Sequence, residues 1–241
     1  MEADTRKKIQ LVLALAIAIA AIRTGYILYE RKTESQPAPK QETALNPDYY
    51  VVPKKLYPYD LKSAKQLTKQ PVWVKVGYSI ARFPYNKATR KSDFAHEKGT
   101  LGPLQKIDIK DVVLDTSPGS PGQRQIMAVY EENGEMYSFP IGSYSDGNYH
   151  FISDDMLFNQ DPHELYKHWP ADIWADIDQH QVKTGMNQLQ VDFAIGFGSP
   201  EVSSDSSYVT VHYPNGGKPM VVTYRNGKAA EIKEDKTSQG S

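Results

Sequence analysis

Three Asn-Gly dipeptides, at 133–134, 215–216 and 226–227, constrain this chain more than any other feature. Asn-Gly accepts positive φ at both central positions of a two-residue turn, so alternating segments on either side return as antiparallel neighbours. Residues 125–130 and 135–141 flank the first turn. Residues 208–213, 219–224 and 228–232 flank the other two, which predicts a three-stranded antiparallel meander near the C-terminus.

The chain has 241 residues, no Cys and a formal charge of −1. Disulfides, thiolate metal sites and thiol catalysis are therefore excluded. The charge balance lacks the positive excess of a nucleic-acid binder, so no nucleic-acid partner is expected. The only long apolar run is 9–29, interrupted by Gln10 and Arg23 and preceded by Arg6-Lys7-Lys8. That layout predicts a signal anchor: one transmembrane helix, with the N-terminus cytoplasmic and the C-terminal body outside. Tyr26 and Tyr29 suit the interfacial belt.

The organisation that follows is a Pro-bearing linker, strap and short helix over 30–70. In the helix Leu61, Ala64 and Leu67 have helical spacing. Residues 71–155 carry about five short strands. Val72, Val74 and Val76 alternate with polar or aromatic neighbours, and Asp146-Gly147 marks a further turn. In strand count and size this region resembles a bacterial SH3-like domain, which implies a small closed barrel. From 156 to 233 helices precede the meander. Asp161-Pro162 reads as N-cap and first helical position, and Asn187 with Gln190 as a capping box. A polar tail, 234–241, is expected to be disordered. The fold class is therefore α+β: a membrane helix, an SH3-like module, then helices with the meander.

The order within the last module is recognisable. It runs Gly185-Met186-Asn187-x-x-Gln190-Val191, then Gly196-x-Gly198-x-Pro200, then a strand ending in Tyr213. Val221 and Tyr224 follow, ahead of Asn226-Gly227-Lys228. This resembles the SmpA/OmlA outer-membrane assembly lipoprotein family and the wider β-lactamase-inhibitor-protein-like superfamily. Asn187 stands where that family has Thr, which keeps the helix capped. The resemblance implies a two-helix, three-strand layout used for protein contacts, without catalysis.

Few constellations suggest chemistry. His163 and His168 are five apart, so on a helix their rings diverge and do not reproduce the zinc-protease spacing. No metal site and no cofactor are expected. Tyr166, Trp169 and Trp174 are a candidate partner-binding surface. Lys87, Arg90 and Lys91, between Tyr85 and Phe94, are a candidate contact for anionic headgroups. Residues 71–155 hold nine basic and eleven acidic side chains, so this patch is local. The reading is a non-catalytic, membrane-anchored envelope protein that binds or scaffolds a protein partner outside the cytoplasm, with no small-molecule substrate. Two alternatives stand beside it. One is an enzyme with a site between the modules using Asp161, His163 and His168. The other is a periplasmic hydrolase inhibitor.

Overall fold

The computed structural model describes residues 20–29, 46–116, 118, 120, 122–202 and 207–235. Residues Met1–Asn46 and Pro47–Ser241 are separate units. In the first, residues 20–29 are helical. Among the described residues no helix is long and apolar enough to cross a membrane. The helical residues described there include Arg23, a charge within the expected span. This overturns the expected transmembrane helix, together with the membrane anchor, topology and localisation built on it. Residues 9–19 of that expected span, and 236–241 of the expected tail, lie outside the described residues.

The second unit is mostly β. Its strands are β1 (Val72–Val74), β2 (Phe83–Asn86), β3 (Lys91–Ser92), β4 (Lys106–Ile107), β5 (Ile109–Thr116), β6 (Arg124–Glu132), β7 (Glu135–Ser145), β8 (Asn148–Phe151), β9 (Leu157–Phe158), β10 (Ser199–Pro200), β11 (Tyr208–Tyr213), β12 (Met220–Arg225) and β13 (Lys228–Glu234). They form three open sheets, ordered β4-β1-β9, β10-β11-β12-β13 and β3-β2-β7-β6-β5, with β8 also on β7. All the strand pairs are antiparallel.

The turns follow from their residues. Asn133 and Gly134 have φ of 53° and 83°, and Glu132 faces Glu135 across a two-residue loop. Asn226 and Gly227, at 50° and 73°, join β12 to β13 in the same way. The β11–β12 connection is wider than an Asn-Gly turn. Tyr213 pairs with Met220, and Asn215–Gly217 form a 3-10 turn between Pro214 and Pro219. Proline is confined to edges and turns, so the ladder ends before Pro214 and resumes after Pro219.

The expected closed barrel is also corrected. The six-stranded sheet ends at β3 on one side and at β5 on the other. Side chains bridge the seam. Arg90 meets Asp111 at 2.9 Å and Lys91 meets Asp115 at 3.1 Å. The Ser92 N–H donates to Asp115 Oδ2 at 2.6 Å. These carboxylates, four residues apart on one face of β5, stand where a backbone ladder would need edges about 4.8 Å apart. β3 is only two residues long and pairs only with β2.

Two principal cores share one short sheet. Val72 and Val74 of β1 pack with Ile126, Phe139 and Leu157, whereas Trp73 between them packs against the cluster of Phe158, Trp169 and Phe193. Period-two alternation thus makes β1 a partition between the cores. The second core lies under the helices Ala171–Asp178 and Gln188–Ile195 and the inner face of the meander. The Asn187–Gln190 capping box forms, as does the Asp161 cap ahead of Pro162.

The segment 48–59 lies on this body as a strap. Asp48 accepts hydrogen bonds from His168 Nε2 (2.6 Å), Trp169 Nε1 (2.7 Å) and Asn187 Nδ2 (3.0 Å). Asp154 accepts the N–H groups of Leu56 (2.9 Å) and Tyr57 (2.7 Å). Asn159 Nδ2 donates to the Lys54 carbonyl at 3.2 Å.

Candidate functional site

The residues singled out by sequence scatter. Tyr166, Trp169 and Trp174 are 7, 6 and 7% exposed, and their rings pack on one another and on Phe193. They turn their faces inward and present no aromatic surface. The hydrophobic gain from burying rings of this size explains why they sit together under the helices.

Asp161 and His163 come together, but His168 does not join them. His163 places Nδ1 3.0 Å from Asp161 and Nε2 3.1 Å from Asp178, and its ring stacks on Trp174. Burial works against its charge, but the two carboxylates overcome that and raise its pKa. His168 instead points to Asp48 of the strap. Among the described residues no three His, Asp or Glu side chains gather as a metal site would require.

Lys87, Arg90 and Lys91 separate because of their loop. Asn86 Oδ1 accepts the N–H groups of Ala88 and Thr89 at 2.9 and 3.0 Å, an Asx turn. Arg90 then takes a φ of 55°. Lys87 is left exposed, while Arg90 and Lys91 reach the β5 edge.

That edge floors a cleft of about 580 Å³ lined by Leu61, Lys62, Lys65, Arg90, Val112, Val113, Leu114 and Arg124. The volume falls within the range of ligand-binding clefts. The helix Leu61–Ala64 and the 3-10 turn Lys65–Thr68 build one wall. Asp60 caps that helix, with its side chain accepting the Ser63 N–H at 2.6 Å. Leu61 and Leu67 anchor the wall to the core, which leaves Lys62 and Lys65 on the outer side. Arg90 forms the other wall. Val112 and Leu114 belong to one face of the sheet and Val113 to the other, so the cleft straddles the strand edge.

Four cations line the cleft. Lys65 and Arg90 share Asp111, at 3.3 and 2.9 Å. Asp115 is buried beneath them. Burial acts to raise its pKa, but the Ser92 and Thr116 N–H groups and Lys91 outweigh it and hold the carboxylate ionised. The local field is therefore positive over an apolar floor.

The backbone at this edge is partly capped. The Val112 N–H donates to Asp111 Oδ1 (2.9 Å) and the Thr116 N–H to Asp115 Oδ1 (2.7 Å). Arg124 donates to the Leu114 carbonyl at 3.2 Å. Residues 112, 114 and 116 thus turn their peptide groups away from β6, as strand alternation requires.

Sequence reading reached Arg90 but missed Lys62, Lys65 and Arg124. The available signal was Lys62 and Lys65, three apart, opposite the face of Leu61 and Leu67. Nothing local links them to Arg124.

A second notable group lies in the core. Asp192, on the helix Gln188–Ile195, is 8% exposed, and its Oδ1 has no partner among the described residues. Burial pushes its pKa up to about 7, with the Tyr213 hydroxyl acting the other way. The Tyr213 and Tyr224 hydroxyls are 2.7 Å apart.

Comparison with family models, with curated proteins and with solved structures finds no match to this chain. The resemblances drawn from the 71–155 strands and from the 185–228 motifs therefore rest on those residues alone.

Proposed function

We propose that this chain is a non-catalytic protein-binding module and that it meets its partner at the cleft beside β5. The observation that carries this reading is the coincidence of an apolar-floored cleft, four cations and an unpaired sheet edge. His168 pairs with Asp48 of the strap and not with Asp161 or His163, so the three residues of the alternative enzyme reading do not form one site. The layout implied by the 185–228 motifs, one used for protein contacts, agrees with the binding reading.

The test is affinity capture from the native cells with the full chain and with a Lys62→Glu/Arg124→Glu double variant. Both positions are exposed, so the variant keeps its fold, which thermal unfolding checks. A protein retained by the wild type and lost with the variant supports the reading. Equal capture by both chains overturns it.

A further inference from the structure

We infer that His163 is a protonation-dependent latch: charged, it holds Asp178 and closes a cleft at the end of the helix Ala171–Asp178, and neutral, it lets that end open. The cleft measures about 310 Å³ and lies between residues 102–105 and Ile177, Asp178 and His180. It shares no lining residue with the cleft beside β5, so the latch does not depend on the binding role proposed above.

The contacts of the ring require its charge. Nδ1 faces Asp161 Oδ1 at 3.0 Å and Nε2 faces Asp178 Oδ1 at 3.1 Å. An ionised carboxylate can only accept, so both nitrogens donate, which the imidazolium alone can do. The ring also stacks on Trp174 at 4.1 Å, and an indole face favours a cation. Asp161 and Asp178 are the charged groups that act on it. Among the described residues Glu164, Lys167 and Asp172 make no bond to it. Asp176 pairs with Lys183 at 3.4 Å, and His180 Nδ1 meets the Ala194 carbonyl at 2.9 Å.

Loss of the proton does not affect the two contacts equally. Asp161 caps the helix Pro162–Leu165 and already accepts the His163 main-chain N–H at 2.9 Å. The neutral ring keeps its one proton on Nδ1, beside this fixed neighbour, and turns a lone pair toward Asp178. Asp178 is the last residue of its helix, where the negative end of the dipole disfavours a carboxylate unless a cation offsets it. It therefore swings away from the ring. The turn that follows is held by the His180 N–H on the Ile177 carbonyl and the Gln181 N–H on the Asp176 carbonyl, each at 2.9 Å. His180 has a φ of 55°, a conformation disfavoured for a residue with a side chain. This turn loosens with Asp178, and the wall of the cleft opens. Burial opposes the charge, but Asp161 and Asp178 raise the His163 pKa above the ordinary 6.5. The latch is thus closed at and below that value and releases as pH rises through the raised one.

The test is amide exchange of the full chain from pH 5.5 to 8.5, with each rate corrected for the chemical pH dependence of exchange. A parallel series in an Asp192→Asn background removes the titration of that buried carboxyl. The inference predicts that protection at His180 and Gln181 falls about two- to fivefold as His163 loses its proton, while protection in β6 stays constant. The change is modest because His163 and Asp178 are partly exposed. Titration of the His163 ring by nuclear magnetic resonance gives the same midpoint, above 6.5. Asp178→Asn lowers that midpoint and removes the pH dependence at both amides, because an amide can accept from Nε2 or donate to it. His163→Gln shows the faster rates at every pH. Protection at His180 and Gln181 that is independent of pH, or a His163 midpoint unmoved by Asp178→Asn, overturns the latch. An equal loss of protection in β6 also overturns it, since that marks global unfolding.

Discussion

A carboxylate buried without full hydrogen bonding is costly when charged, and Asp192 shows how the fold meets that cost: it favours the protonated form. With its folded pKa raised from 3.8 to about 7, the native state holds a proton that the unfolded chain has released. Stability therefore falls as pH rises from about 4 to about 7 and levels off above that. His163 and His212 act in the same direction. His212 is raised by Asp235 and Glu201, and for both histidines the added stability is present below the ordinary histidine range and lost above the raised pKa. Comparing variants isolates Asp192. Urea unfolding of Asp192→Asn from pH 4.5 to 8.5 should show a flatter profile than the wild type, with the difference confined below about pH 7. An unchanged slope would mean that Asp192 is ionised in the fold. The caps Asn187 and Asp161 were legible in sequence because capping is local chemistry. Asp192 was not, because its burial depends on Tyr213 and Tyr224 from two later strands.

Turns and latches decide the elements. Gly227 has a φ of 73° in a two-residue turn, where a β-branched side chain is strained. Gly227→Val should destabilise the protein by about 1–3 kcal/mol, read as a lower urea midpoint. No loss would show that the β12–β13 turn tolerates other geometry. The meander was readable because each of its strands alternates and each junction carries Asn-Gly. The barrel was misread because strand count carries no information on closure. The sheet stays open because Asp111 and Asp115 meet Arg90, Lys91 and the Ser92 N–H across the seam in place of a ladder, contacts between residues more than 18 apart. The strap depends on Asp154 in a similar way. Asp154→Ala removes the acceptor of the Leu56 and Tyr57 N–H groups. It should speed amide exchange at those two residues, by the equivalent of about 1–3 kcal/mol, with little change at β6. Equal acceleration throughout would show that the strap is inseparable from global unfolding.

Across the whole second unit, β1 couples the parts. Its valines face one core and its tryptophan the other, and β9, beyond the end of the 71–155 strands, pairs back to it. Trp73→Ala should therefore lower the stability of both cores together. One cooperative transition, shifted downward by about 3 kcal/mol, is the expected outcome in thermal unfolding followed by near-ultraviolet circular dichroism. Two separated transitions would show independent cores. The same long-range assembly explains why the candidate site was not legible. Its walls come from 61–65 and 90, its floor from 112–114 and its guanidinium from 124. Only folding gathers them. The apolar N-terminal run misled in the opposite sense: composition suggested a span, whereas among the described residues no helix is long and apolar enough to cross a membrane. The most direct test of the account is site-specific photocrosslinking of the full chain to its captured partner. Photoreactive side chains at Lys62 and at Arg124 are compared with one at Tyr50, which is exposed on the strap. The account predicts crosslinks from Lys62 and Arg124 to one partner protein, and none from Tyr50. Crosslinks from Tyr50 alone would contradict it.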